Sequence, residues 1–139
     1  MNTILQILER AGGLQPNLHL RIHNPPYLPL VIDSLETTGP MGRPSIRVAH
    51  LSYSNGRLMA HPEMRFEFDD STATAVGLDP YYWRNDYVGI EELSRFLQNE
   101  RQLSEPVVHQ RQMRFAVEWD RVLTGQRTVE AYIRSLGCP

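Results

Sequence analysis

Residues 46–69, IRVAHLSYSNGRLMAHPEMRFEFD, constrain the fold more than any other stretch, because Asn55-Gly56 sits between two runs of strand-forming residues. Asn-Gly suits a two-residue type I′ turn, since both residues tolerate positive φ. Beyond Pro62, the side chains Met64, Phe66 and Phe68 alternate with Arg65, Glu67 and Asp69, so one face of the second strand is apolar and the other charged. That is the pattern of a half-buried antiparallel strand, whose apolar face needs cover from elsewhere in the chain.

Amphipathic stretches on both sides supply the cover. Ile4, Leu5, Ile7, Leu8 and Ala11 have helical spacing, and Gly12-Gly13 stops the helix. Leu18, Leu20 and Ile22 alternate with His19, Arg21 and His23 as a first strand, ended by Asn24-Pro25-Pro26. Residues 27–35 form a second strand in which Pro29, having no N–H for a ladder, points to an edge position. Residues 37–44 read as a loop, 71–80 as a loop or weak strand, and the aromatic run 81–87 as a fifth strand, with Asp86 or a neighbour capping a following helix. Ile90, Leu93, Phe96 and Leu97 make a helical stripe that ends near Leu103. Ser104-Glu105-Pro106 then starts a longer helix with Val108, Phe115, Trp119, Val122 and Leu123 inward and Arg111, Arg114, Glu118 and Arg121 outward. Thr124-Gly125 breaks it, and 128–136 form a last helix with Val129, Tyr132, Ile133 and Leu136 inward. The expectation is a single α+β domain over 1–139. It has an antiparallel sheet of four to five strands built on the central hairpin, with an N-terminal helix and three C-terminal helices packed on it.

Several chemistries drop out on composition. All 14 basic residues are arginine, which removes both a Schiff-base lysine and the lysine of a phosphate-binding P-loop. The net charge of −2 is unevenly spread: +2 over residues 1–60, −6 over 61–100 and +2 over 101–139. That balance is too small and too local for a nucleic-acid footprint, so direct nucleic-acid binding is not expected. The lone Cys138 has no partner for an internal disulfide. The apolar residues 4–8 are interrupted by Gln6 and followed by Glu9 and Arg10, so neither a signal peptide nor a membrane span is expected and the chain reads as cytoplasmic.

The hairpin register brings out one candidate site. With Asn55 and Gly56 as the loop, His50 stands opposite His61, about 5 Å apart at Cβ, with Glu63 beside them. These three are the one set that could hold a transition metal. They are one ligand short of a closed zinc site, and Pro62 can add a bulge that turns His61 away. The ordinary reading is a hydrogen-bonded histidine pair, and no metal or cofactor is expected. His19 and His23, four apart on a strand, are separated by roughly 13 Å and cannot share an ion. His109 reads as a surface partner of Glu105. Asp69, Asp70, Asp79 and Asp86 read as loop acids and a helix cap, and neither a G-x-S-x-G nor a G-x-G-x-x-G motif is present. The run Tyr81-Tyr82-Trp83-Arg84 next to carboxylates has the composition of a protein-binding hot spot.

The segments MNTILQILERAGG, HLRIHNPPYLPLVI, VAHLSYSNGRLMAHPEMRFEF and YYWRNDYVGIEELSR resemble a family of small proteins of unknown function carried on bacterial plasmids, integrative elements and phages. The resemblance is most specific at Asn55-Gly56, Leu58-Met59, Pro62-Glu63-Met64, Phe66-Glu67, Asn85-Asp86-Tyr87 and Gly89. His61 departs from the acid usual there, and the tail from Gln102 lies outside the resemblance. The family implies no reaction. Its setting implies a mobile-element accessory role, such as counter-defence of the anti-CRISPR type: a non-catalytic inhibitor that occludes a host protein or ribonucleoprotein complex. Separately, an edge strand containing Pro29 and exposed aromatics leave room for a homodimer. The residues expected to dock are Glu63, Glu67, Asp69, Asp70, Tyr82, Trp83, Arg84 and Asp86. The alternatives are a nucleic-acid- or nucleotide-processing enzyme built on His50, Glu63 and Asp86, and a plasmid DNA-binding regulator using Arg111, Arg114, Arg121 and Arg127.

Overall fold

The computed structural model describes residues 1–72 and 75–137, and the side chains among these outside 70–76. Asp70, the small-residue stretch that follows it and Cys138 therefore lie outside the described side chains. In chain order the elements are α1 (Asn2–Arg10), β1 (His19–Ile22), β2 (Leu30–Ser34), β3 (Ser45–Ser54), β4 (Arg57–Thr72), β5 (Ala75–Asn85), β6 (Ile90–Leu93), β7 (Arg95–Gln98), β8 (Arg101–Ser104), α2 (Pro106–Gly125) and α3 (Thr128–Gly137). Strands β1 to β6 pair antiparallel in sequence order as one meander, and β7 and β8 form a separate two-stranded sheet.

The alternation read from sequence decides which way the sheet faces. Ile32, Ile46, Val48, Met64 and Phe66 are fully buried on one face. They pack with Ile4 and Ile7 of α1, Trp119 and Leu123 of α2, and Ala131 and Tyr132 of α3. The opposite face carries Arg21, Asp33, Arg47, Glu63, Arg65 and Tyr82 in adjacent register. The α+β architecture with an antiparallel sheet is as expected, and the hairpin β3–β4 lies at the middle of the sheet.

Two elements differ from expectation. Residues 90–103 form β6, β7 and β8 instead of a helix, so two C-terminal helices follow the sheet, not three. The stripe Ile90, Leu93, Phe96 and Leu97 has helical spacing, but the chain reverses at Gly89 (φ 69°) and again at Asn99 (φ 51°) and Glu100 (φ 65°). Two successive positive-φ residues make the turn of a tight hairpin, which no helix can contain. Pro29 does not mark an edge strand either. It precedes β2, which is flanked by β1 and β3, and its carbonyl accepts from the Leu51 amide at 3.2 Å. The sheet edges are β1 and β6, so the Pro29 argument for a homodimer falls.

The hairpin begins in the expected register, Ser54 opposite Arg57 and Leu51 opposite Ala60, with Asn55 at φ 52° and Gly56 at φ 78°. It then shifts: Ala49 pairs with Glu63, so His50 faces both His61 and Pro62 across a bulge. Proline cannot donate to the ladder, and one extra residue on β4 absorbs the mismatch. A second bulge, opposite Arg65 and Phe66, inserts Tyr81 as an extra residue of β5, so that Tyr82 lies against Arg65 on the charged face, and both tyrosines are buried. Trp83 is thereby placed on the helix-covered face.

Candidate functional site

Around Asp33, Arg47, Glu63 and Arg65 the charged sheet face is held in internal pairs. Glu63, 3 % exposed, lies 3.6 Å from the Arg47 guanidinium and accepts from Arg65 Nε at 3.0 Å. Arg47 also reaches Asp33, which is bonded to His19. Arg65 lies over the Tyr82 ring at 4.3 Å, and the Tyr82 hydroxyl donates to Glu91 at 2.7 Å. Burial, and then that bond, push the Tyr82 phenol up to about 12. Glu67 is fully buried, because the 37–44 loop folds over its carboxylate, which accepts the amides of Met41 at 3.2 Å and Arg43 at 3.0 Å. Glu63, Glu67 and Tyr82 are thus structural and offer no docking area, and Asp69 pairs with Arg43 at 3.2 Å. The alternating face predicted from sequence is real; its acids are neutralised inside the fold.

Exposed apolar side chains are scattered along α2 and α3, as at Val107, Val117 and Leu136, and four more lie at the end of the sheet, where the β3–β4 turn meets the 86–89 turn between β5 and β6. Tyr53 is 74 % exposed, Leu58 50 %, Tyr87 51 % and Val88 60 %. The two turns are tied together. Asp86 Oδ2 accepts the Ala60 amide at 2.7 Å, and the Asp86 amide donates back to the Ala60 carbonyl at 2.9 Å. The Ser52 and Tyr87 hydroxyls are 2.6 Å apart, and the Tyr87 ring meets His61 edge-on at 4.6 Å. Asp86 therefore joins two turns and does not cap a helix. Burial acts to raise its carboxyl, but the Ala60 N–H and the Arg84 guanidinium at 2.9 Å hold it below the usual range. The bond to Asp86 in turn keeps Arg84 charged more firmly than a free arginine. Arg57, Leu58, Met59, Arg84, Asp86, Gly89 and Glu91 line a cleft of about 380 Å³ beside this tip.

A second cleft, of about 400 Å³, runs between the sheet and α2 and is bordered by Tyr27, Leu28, His50, His61, Trp119 and Gln126. Although the bulge breaks their direct pairing, His50 and His61 both reach it. His50 Nδ1–H donates to the Leu28 carbonyl at 3.2 Å, and its ring lies 5.6 Å from that of Trp119. Asn85 Oδ1 accepts from the Tyr87 amide at 3.0 Å, which identifies the oxygen of that side chain and makes His61 Nδ1, 3.1 Å away, the donor. In the neutral rings each Nε2 is then the acceptor atom. Burial lowers the His50 pKa, and nearby His61 adds to the effect, while the bond to Leu28 opposes it.

Glu63 takes no part in this cleft. It belongs to the opposite sheet face, and among the described residues no group of three His, Cys, Asp or Glu is placed to hold a metal. The same separation dismantles the enzyme constellation, since His50 faces α2, Glu63 faces Arg47 and Arg65, and Asp86 is committed to Ala60 and Arg84.

On the helices, Arg111 pairs with Glu92 at 3.2 Å, and Glu118 pairs with Arg121 at 2.9 Å. Arg127 lies in the turn between α2 and α3 at φ 59°. His109 is not a partner of Glu105: its Nε2–H donates to Asp79 at 2.7 Å, and Asp79 also binds Arg95, tying α2 and β7 to β5.

Fold and site together define a class: an antiparallel meander covered on one face by helices, with a self-paired charged face and a rigid aromatic tip. The chain belongs to the family described as Domain of unknown function (DUF6908), whose match spans residues 2–129. No curated protein and no solved structure matches the chain.

Proposed function

We propose that this protein acts by docking onto another protein through the tip of its sheet, as a non-catalytic mobile-element accessory that occludes a surface of a host complex. The observation that carries the reading is the exposure of Tyr53, Leu58, Tyr87 and Val88, all at least half exposed, on two turns locked to each other through Asp86 and Ala60. Large exposed side chains cost little ordering entropy on binding when their backbone is already fixed. Tyrosine and arginine around an apolar patch are the composition of binding hot spots, and Arg57 and Arg84 flank this one. The docking residues are accordingly Tyr53, Leu58, Tyr87, Val88, Arg84 and Asp86.

The partner class comes from the resemblance to proteins of plasmids, integrative elements and phages, and a CRISPR effector in the bacterial cytoplasm is the first complex to test. No helix among the described residues is long and apolar enough to cross a membrane. The test is phage plaquing on a CRISPR-immune host expressing the chain, together with co-purification of the effector. Restored plaquing and a co-purifying effector, both lost in Tyr53→Ala/Tyr87→Ala, are expected. Unchanged plaquing with no effector retained contradicts the counter-defence reading.

A further inference from the structure

The β7–β8 hairpin stands outside the main sheet as a two-stranded ribbon. Such a ribbon is marginally stable by itself in water, and an unpaired edge is a template for another strand. Glu105 N–H donates to the Ser94 carbonyl at 2.7 Å, which sets the alternation of the ladder: Arg95 and Ser104, just inside that bond, are a non-hydrogen-bonded pair. The N–H and C=O of Ser104, and of Gln102 two residues earlier, therefore point away from β7, and no described residue bonds them. The side chains of this edge alternate as well. Arg101, Leu103 and Glu105 share one face, Glu105 continuing the strand with φ −108° and ψ 95°. Leu103 is half-buried beside Phe96, its partner across the ribbon, while Arg101 and Glu105 are exposed. These two charges lie about 13 Å apart along the strand, too far to pair with each other, and neither side chain has a partner among the described residues.

We propose that β8 is a dimerisation edge, and that its occupant is β8 of a second copy of this chain, paired antiparallel about a twofold axis at Leu103. A row that reads cation, leucine, anion is its own complement when reversed: Arg101 of each copy faces Glu105 of the other, and the two Leu103 side chains meet on the axis. The same register sets Gln102 of each copy opposite Ser104 of the other. These are the residues whose N–H and C=O groups point outward, so both pairs close with backbone hydrogen bonds. A register one residue away would set Gln102 against Leu103, whose backbone groups β7 already uses. The two ribbons then form one continuous sheet, in which Phe96 and Leu103 of both copies make an apolar row flanked by the two ion pairs. The ribbon leaves β6 at the end away from the 86–89 turn, and dimerisation and docking through the tip are independent of each other.

So short an edge makes a small interface, of the weak and reversible class. Sedimentation of the full chain is expected to show the mass rising from 16.0 kDa toward twice that value between about 1 and about 500 µM. Amide exchange followed by NMR should show Gln102 and Ser104 gaining protection over the upper part of that range, with Leu103 protected throughout. Arg101→Glu and Glu105→Arg each set like charges opposite each other at both ends of the interface, and each should weaken association at least about tenfold. The double variant Arg101→Glu/Glu105→Arg swaps the two charges and should recover association to within about threefold of the unaltered chain. A chain that stays at 16.0 kDa at every concentration overturns the proposal, whether the edge is left to water or to a strand of another protein. A dimer whose Gln102 and Ser104 amides exchange as fast as in the dilute chain overturns it too, as does a folded double variant that fails to recover. If the variants do not fold, the mass and the amide exchange of the unaltered chain decide.

Discussion

Single buried side chains pin distant segments of this fold together. Glu67 is the sharpest case, a fully buried carboxylate whose burial is tolerated because the Met41 and Arg43 amides close over it. Glu67→Ala should lower unfolding stability by about 3 kcal/mol, since it leaves two loop donors without their acceptor. Gly39→Ala should cost about 2 kcal/mol, because a Cβ there would lie 2.3 Å from Glu67 Cγ. Both are read by urea denaturation, and a loss below about 0.5 kcal/mol in either contradicts the clamp. His50 gives a pH signature. Its folded pKa is depressed from 6.5 by burial, so between the two values the unfolded chain binds more protons and stability falls as pH drops below about 6.5. Melting curves at descending pH should show that loss, and His50→Gln should flatten it. An unchanged slope in the variant contradicts the assignment.

At the level of elements, the legible parts were those with a strong local signal. Asn55-Gly56 placed the hairpin, the alternation 64–69 placed its faces, and Glu105-Pro106 placed the start of α2 within the expected range. The missed hairpin β7–β8 has no such signal: Asn99-Glu100 lacks the glycine that usually marks a positive-φ turn, and the flanking apolar residues have helical spacing by coincidence. Glu100→Gly should therefore stabilise the chain by about 0.5–1 kcal/mol, by relieving a left-handed residue at the turn. A destabilised variant in the same denaturation assay would contradict the turn. The candidate site was legible in part. Arg84 and Asp86 were identified, but their roles depend on Ala60, which only the pairing of β4 with β5 brings close. Alternation showed that Glu63 and Glu67 share a face with Arg65, yet it could not show that a distant loop and Arg47 would bury them. Tyr53 and Leu58 went unnoticed, although flanking a turn at the end of a long hairpin is itself a sign of exposure.

At the scale of the whole molecule, the two sheet faces and the tip divide the work. The helix-covered face makes the core, the other face neutralises its own charges, and the tip projects rigid aromatic and aliphatic area that neither face absorbs. The central claim is that this tip, and not the charged face, contacts the partner. The direct measurement is affinity capture from the bacterial host, with identical bait amounts of three folded proteins: the unaltered chain, Tyr53→Ala/Leu58→Ala/Tyr87→Ala, and the charged-face control Arg21→Ala/Arg47→Ala. A multi-subunit complex retained near stoichiometry by the unaltered chain and by the charged-face variant, and reduced at least about tenfold with the tip variant, is the predicted result. Retention by the tip variant with loss in the charged-face variant would contradict the account and return the docking surface to the ladder of Arg47, Glu63 and Arg65.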